Sequence, residues 1–86
     1  MGSYKIILKK SVEKDLRSID SRYIPKIMSA IQSLVENPTP HGFRQLVGTE
    51  KTYRIRIGDY RVIYLIDSLA SEILIQHIAH RKDVYR

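Results

Sequence analysis

Three arginines flank a glycine turn in the stretch Thr52 to Ile66, TYRIRIGDYRVIYLI. Gly58-Asp59, with glycine first, suits the type II′ turn of a two-residue β-hairpin. A loop of those two residues sets Ile57 opposite Tyr60, Arg56 opposite Arg61, Ile55 opposite Val62 and Arg54 opposite Ile63. Successive side chains of a strand point to opposite faces. One face therefore carries Tyr53, Ile55, Ile57, Tyr60, Val62 and Tyr64, and the other gathers Arg54, Arg56 and Arg61 beside Ile63. Like charges directly across a strand pair repel, and no acidic residue alternates with these three. The ordinary reading is a solvated strand face kept charged for solubility. The repeated choice of arginine, a planar and permanently charged donor, favours an array for phosphate oxygens.

The chain ends His80-Arg81-Lys82-Asp83-Val84-Tyr85-Arg86, a basic cluster and a tyrosine directly after an apolar run. Taken alone this is an ordinary solvated tail. Over the 86 residues, fifteen Lys and Arg face nine Asp and Glu, a formal charge of +6 that favours polyanions or an acidic partner. Neither half of the chain holds the excess, so folding must assemble any basic patch. Carboxylates are scattered, which argues against the clustered ligands of a two-metal nuclease. With no cysteine, and with His41, His77 and His80 not spaced as a zinc motif, no cofactor or metal is expected. No run approaches the roughly twenty apolar residues of a membrane helix, and no signal peptide is evident, so the expectation is a cytoplasmic protein without a membrane partner.

One small domain, residues 1–86, is expected. Tyr4 to Leu8 reads as a first strand, and Ser11 as the cap of a helix with Val12, Leu16 and Ile19 on its apolar side. Glu13 and Arg17 are spaced as an ion pair on that helix. A second helix shows the stripe Ile24, Ile27, Met28, Ile31, Leu34 and Val35, with Pro25 in its first turn. Asn37-Pro38-Thr39-Pro40 ends it, and an ordered loop with Phe43, Leu46 and Val47 runs to about Lys51. After the hairpin, Glu72 to Ala79 reads as a last strand, too apolar for an exposed edge and of undecided register. The order β-α-α-β-β-β predicts an α+β two-layer domain, a helical hairpin on a small, mainly antiparallel sheet with the arginine face outward.

In their order, these segments resemble the RelE/ParE superfamily of toxins from toxin–antitoxin pairs, and most of all the RelE-type messenger RNA endonucleases. The resemblance spans nearly the whole chain: the helical hairpin ending in NP, the loop NPTPHGFRQLVG, the hairpin YRIRIGDYRVIYLI and the closing HRKDVY. It implies a face that binds messenger RNA in the ribosomal A site, with the ribosome and a cognate antitoxin protein as partners. It implies catalytic roles for Arg61, Arg81 and Tyr85 and RNA binding by Arg54 and Arg56, and the basic residues Lys51, His80 and Lys82 are further candidates for RNA binding. Arginines are poor proton acceptors, so the general base stays open among Tyr85, Lys82 and His80.

Without an acidic cluster to hold a metal, the nearest nucleophile is the RNA's own 2′-hydroxyl. That predicts metal-independent cleavage leaving a 2′,3′-cyclic phosphate and a 5′-hydroxyl. The alternative is a ParE-like, non-enzymatic inhibitor of DNA gyrase on the same scaffold, since fold does not fix function. A binding module that uses the basic face for affinity alone is a third reading.

Overall fold

Two short helices cover one face of a sheet whose strand order does not follow the chain. The computed structural model describes residues 3–46, 51–80 and 82. Among them the elements are β1 (Lys5–Leu8), α1 (Lys10–Ser18), a single 3-10 turn (Ser21–Tyr23), α2 (Ile24–Ser33), β2 (Arg44–Gln45), β3 (Thr52–Ile57), β4 (Tyr60–Asp67) and β5 (Glu72–His80). The five strands lie in the order β1-β5-β4-β3-β2. β1 runs parallel to β5, and every other pair is antiparallel. This is the expected α+β architecture, with β2 as an addition too short for any periodicity to reveal. No described helix is long and apolar enough to cross a membrane.

The first helix begins earlier than its sequence suggests. Its N-cap is Lys9, which makes no side-chain capping bond, and Ser11 lies inside the helix. Glu13 in the first turn and Arg17 in the last suit the helix dipole, while no ion pair joins them. The chain turns at Asp20, whose carboxylate accepts the Arg22 backbone N–H and pairs with its guanidinium at 2.7 Å. The Arg22 side chain first, then that backbone bond, hold the Asp20 carboxyl down at about 2. Pro25 stands in the first turn of α2, where its missing N–H has no helical partner to lose. Ile27 and Ile31 of α2 are buried, whereas Met28 is 36% exposed, so the apolar stripe is narrower than the sequence suggests.

The core lies between α1, α2 and the inner face of the sheet, where Val12, Ile27, Leu34, Val62, Tyr64, Ile73 and Ile75 are fully buried. Each such side chain contributes roughly 1.5–3 kcal/mol. The tyrosines extend this layer: Tyr53 stacks at a tilt between Phe43 and Tyr64, and Tyr60 packs on Tyr23. Tyr64 donates a hydrogen bond of 2.7 Å to the Pro38 carbonyl, which ties the loop after α2 to the sheet. Of that loop's expected apolar anchors, Phe43 is packed on Tyr53 and the Leu46 N–H bonds to Thr52, while Val47 lies outside the described residues.

The hairpin has the expected register at every pair from Ile57 opposite Tyr60 to Arg54 opposite Ile63. Gly58 takes φ +60° and Asp59 stays at negative φ, as a type II′ turn requires. The irregularity lies elsewhere. β4 and β5 change register between Ile63, opposite His77, and Tyr64, opposite Ile75, leaving Gln76 as an extra residue. β5 does lie inside the sheet, but β1 covers it only from Glu72 to Ile75. Beyond that point α1 shields the edge: Asp15 accepts the Ile78 N–H at 3.1 Å and bonds His77 Nδ1 at 2.9 Å.

Candidate functional site

The hairpin register puts Arg54, Arg56 and Arg61 on the sheet face opposite the helices, because Ile55, Ile57, Tyr60 and Val62 take the inward positions. The short strand β2 adds a fourth: Arg44 pairs with Arg54 and so shares its face. Two rows result. One runs Arg44, Arg54, Ile63, His77, and the next runs Arg56, Arg61, Ala79. Four guanidinium groups on three neighbouring strands share one face, a donor surface of the kind that binds phosphate oxygens.

The arginines differ in setting. Arg44 and Arg56 are exposed, and Arg56 Nε donates to the Gly58 carbonyl at 3.3 Å, which holds its stem over the turn. Arg54 is half-buried, and Arg61 is only 7% exposed. Such a depth is unusual for a charged side chain, and it is not that of a solvated strand face. A cavity of about 460 Å³ opens where β2 ends, lined by Arg44, Arg54, Arg56, Arg61 and His41 and reaching Ala30 and Ser33 of α2. Any anion entering it meets guanidinium groups in a partly desolvated setting, where charge-assisted hydrogen bonds are strongest.

The remaining expected site residues are not all brought to this face. His80 stands opposite Tyr60 and packs on its ring edge-on at 5.3 Å, so it belongs to the inward row. Its Nδ1 accepts the Lys82 N–H at 3.2 Å. Lys82, two positions past the end of β5, is exposed. Lys51 is exposed beside the start of β3, with φ at +64° and its carbonyl bonded to the Ile66 N–H. Arg81 and Tyr85 lie outside the described residues.

Two residues on the arginine face were not anticipated from the sequence. Arg44 sits on a two-residue strand, which leaves no pattern to read. His77 reaches the face through the Gln76 bulge, and its signal is the phase change in ILIQHIAH, where apolar positions move from Ile73 and Ile75 to Ile78. Among the described residues no three of His, Cys, Asp and Glu gather as a metal site.

Comparison with known proteins gives one family. The model for the ParE toxin of type II toxin–antitoxin systems matches residues 6–85. RelE1 of Methanocaldococcus jannaschii is 30% identical over 86 residues, covering 96% of each chain. The toxin RelG of Mycobacterium tuberculosis is 29% identical over 87 residues, covering 96% of this chain and 97% of its own. Among solved structures, the archaeal RelE–RelB complex of Pyrococcus horikoshii OT3 superposes with a TM-score of 0.81 at 30% identity, covering 92% of this chain and 96% of that one. The isolated RelE toxin of E. coli, at 18% identity and a TM-score of 0.79, shares the fold. The chain belongs to the RelE/ParE superfamily, as a RelE-like toxin of type II toxin–antitoxin systems.

Proposed function

We propose that this toxin is an endoribonuclease that cuts messenger RNA in the ribosomal A site and so stops translation in the cytoplasm. The observation that carries the reading is the four-arginine face with Arg61 sunk into it. A guanidinium held at that depth is preorganised to meet charge that develops on phosphoryl oxygens, the condition under which a single donor matters most to rate. Arg44, Arg54 and Arg56 bind the backbone, Arg61 stabilises the transition state, and the 2′-hydroxyl of the RNA is the nucleophile. Arg81 and Tyr85 complete the site by their place in the closing motif, with Tyr85 protonating or stabilising the leaving 5′-oxygen.

The toxin's partner is a cognate antitoxin that covers the basic face with carboxylates or draws away the C-terminal segment. The net charge of +6 favours such an acidic segment, and the Pyrococcus relative was solved as a RelE–RelB complex.

The family model describes a ParE toxin, and this favours a second reading, inhibition of DNA gyrase by binding alone. Cell-free translation with mapping of message ends separates the two. Cuts within translated codons support the endoribonuclease. Intact messages, together with DNA breaks in a gyrase assay, support the other.

A further inference from the structure

The arginine cavity opens at an edge of the sheet. β2 pairs with β3 only at Arg54 and Tyr53, so among the described residues no strand covers Ile55, Arg56 and Ile57 on that side. The cavity wraps this edge: Ile55 and Ile57 line it with Ala30 and Ser33 of α2 on the inner side, and Arg54, Arg56 and Arg61 line it on the outer. The loop after α2 brings one more side chain there. The Pro40 carbonyl accepts the Phe43 N–H at 3.0 Å, and Gly42 takes φ +90°. This is a type II turn, with glycine at the third position, where φ is positive, and His41 at the second. The turn is held on both sides, by the Tyr64 bond to the Pro38 carbonyl and by Phe43 packed on Tyr53. His41 is exposed at its tip and lines the same cavity as Arg44, Arg54, Arg56 and Arg61.

A 2′-hydroxyl that attacks phosphorus needs an acceptor for its proton, and this cavity holds few. Arginine keeps its own proton at any relevant pH. The Ser33 hydroxyl donates to the Ala30 carbonyl at 2.7 Å, and no carboxylate is among the described residues that line the cavity. His77 and His80 line a separate cleft with Asp15 and Tyr60. His41 is left, and histidine is the side chain suited to exchange a proton near neutrality. The groups that share the cavity with it are Arg44 from β2, Arg54 and Arg56 from β3, Arg61 from β4 and Ser33 from α2. A phosphate held by those guanidinium groups therefore lies in a cavity that the imidazole also borders.

We propose, on the endoribonuclease reading, that His41 is the general base. A ring nitrogen takes the proton of the 2′-hydroxyl as its oxygen forms a bond to phosphorus and the bond from phosphorus to the 5′-oxygen breaks. The leaving 5′-oxygen takes a proton from Tyr85 or from water, and the imidazolium returns its proton to the tyrosinate or hydroxide so formed. The products are a 2′,3′-cyclic phosphate and a 5′-hydroxyl, with no net change in protons.

The test is single-turnover cleavage of a message on programmed ribosomes across pH by the full chain and its His41→Asn and His41→Lys variants. Asparagine keeps a polar side chain on the turn and removes the base, whereas lysine keeps a cation for phosphate. The expected result for both is a loss of about a hundredfold or more, with unchanged ribosome binding and thermal unfolding. The rate of His41→Asn should go on rising tenfold per pH unit where the parent's levels off, and added imidazole should restore part of the rate to His41→Ala. Equal rates and pH profiles for the parent and His41→Asn overturn the proposal and leave the endoribonuclease reading standing. So does a full rate in His41→Lys, or a loss that is wholly one of ribosome binding. A parent that does not cut at all overturns both.

Discussion

Arg61 and Tyr64 show how two side chains of one strand divide function from stability. Arg61 is nearly buried on the outer face, and its aliphatic stem contributes packing as well as charge. Arg61→Met keeps the stem and removes the donors, so cleavage should fall by about a hundredfold or more while thermal unfolding stays close to the parent's. Tyr64 is wholly buried and bonded to Pro38. Removing its hydroxyl leaves that carbonyl without the bond, and Tyr64→Phe should cost about 1–2 kcal/mol in urea unfolding. Burial first, then the neighbouring Tyr53, pushes the Tyr64 phenol up from 10.0 to about 12. The folded state therefore holds this proton more tightly than the unfolded chain does. The stability it contributes is whole below pH 10 and is lost as pH rises toward 12, a slope that alkaline unfolding of Tyr64→Phe should lack. The arginine face was legible at this scale because strand alternation around a two-residue turn leaves no freedom. His77 was not, because the same alternation fails at an inserted residue.

At the scale of elements, the turn and the bulge carry the site. Gly58 holds φ +60°, and a Cβ there would meet only the Tyr23 ring at 3.8 Å, so the space is open and the backbone alone objects. Gly58→Ala should destabilise by about 1–2 kcal/mol, read from the urea midpoint, with the register intact in the variant that remains folded. Deletion of Gln76 tests the bulge. With the extra residue gone, Ile75 opposite Tyr64 leads directly to His77 opposite Ile63 and Ile78 opposite Val62, so β5 should straighten with its pairing kept and thermal unfolding should stay cooperative. Loss of cooperative unfolding would contradict this assignment of the bulge. The helices were readable from their apolar stripes, although α1 starts at Lys10 without the Ser11 cap, since burial of Val12 and Ile19 outweighs a capping bond. β2 was not readable, because two residues hold no period.

For the whole molecule, layer order decides what is available to a partner. The helices occupy the inner face of the sheet, so the outer face is left with four arginines that nothing in the core requires. Binding to programmed ribosomes should weaken steeply with added salt, and Arg56→Ala or Arg44→Ala should reduce that salt dependence while sparing the fold. The central claim is that this face serves a reaction in which RNA supplies its own nucleophile. The most direct measurement compares, on programmed ribosomes, an all-ribose message with one carrying a single 2′-deoxy nucleotide just upstream of the cut. The account predicts that the deoxy message binds equally well and survives, while the ribose message yields a 2′,3′-cyclic phosphate and a 5′-hydroxyl. Equal cleavage of both messages would contradict it.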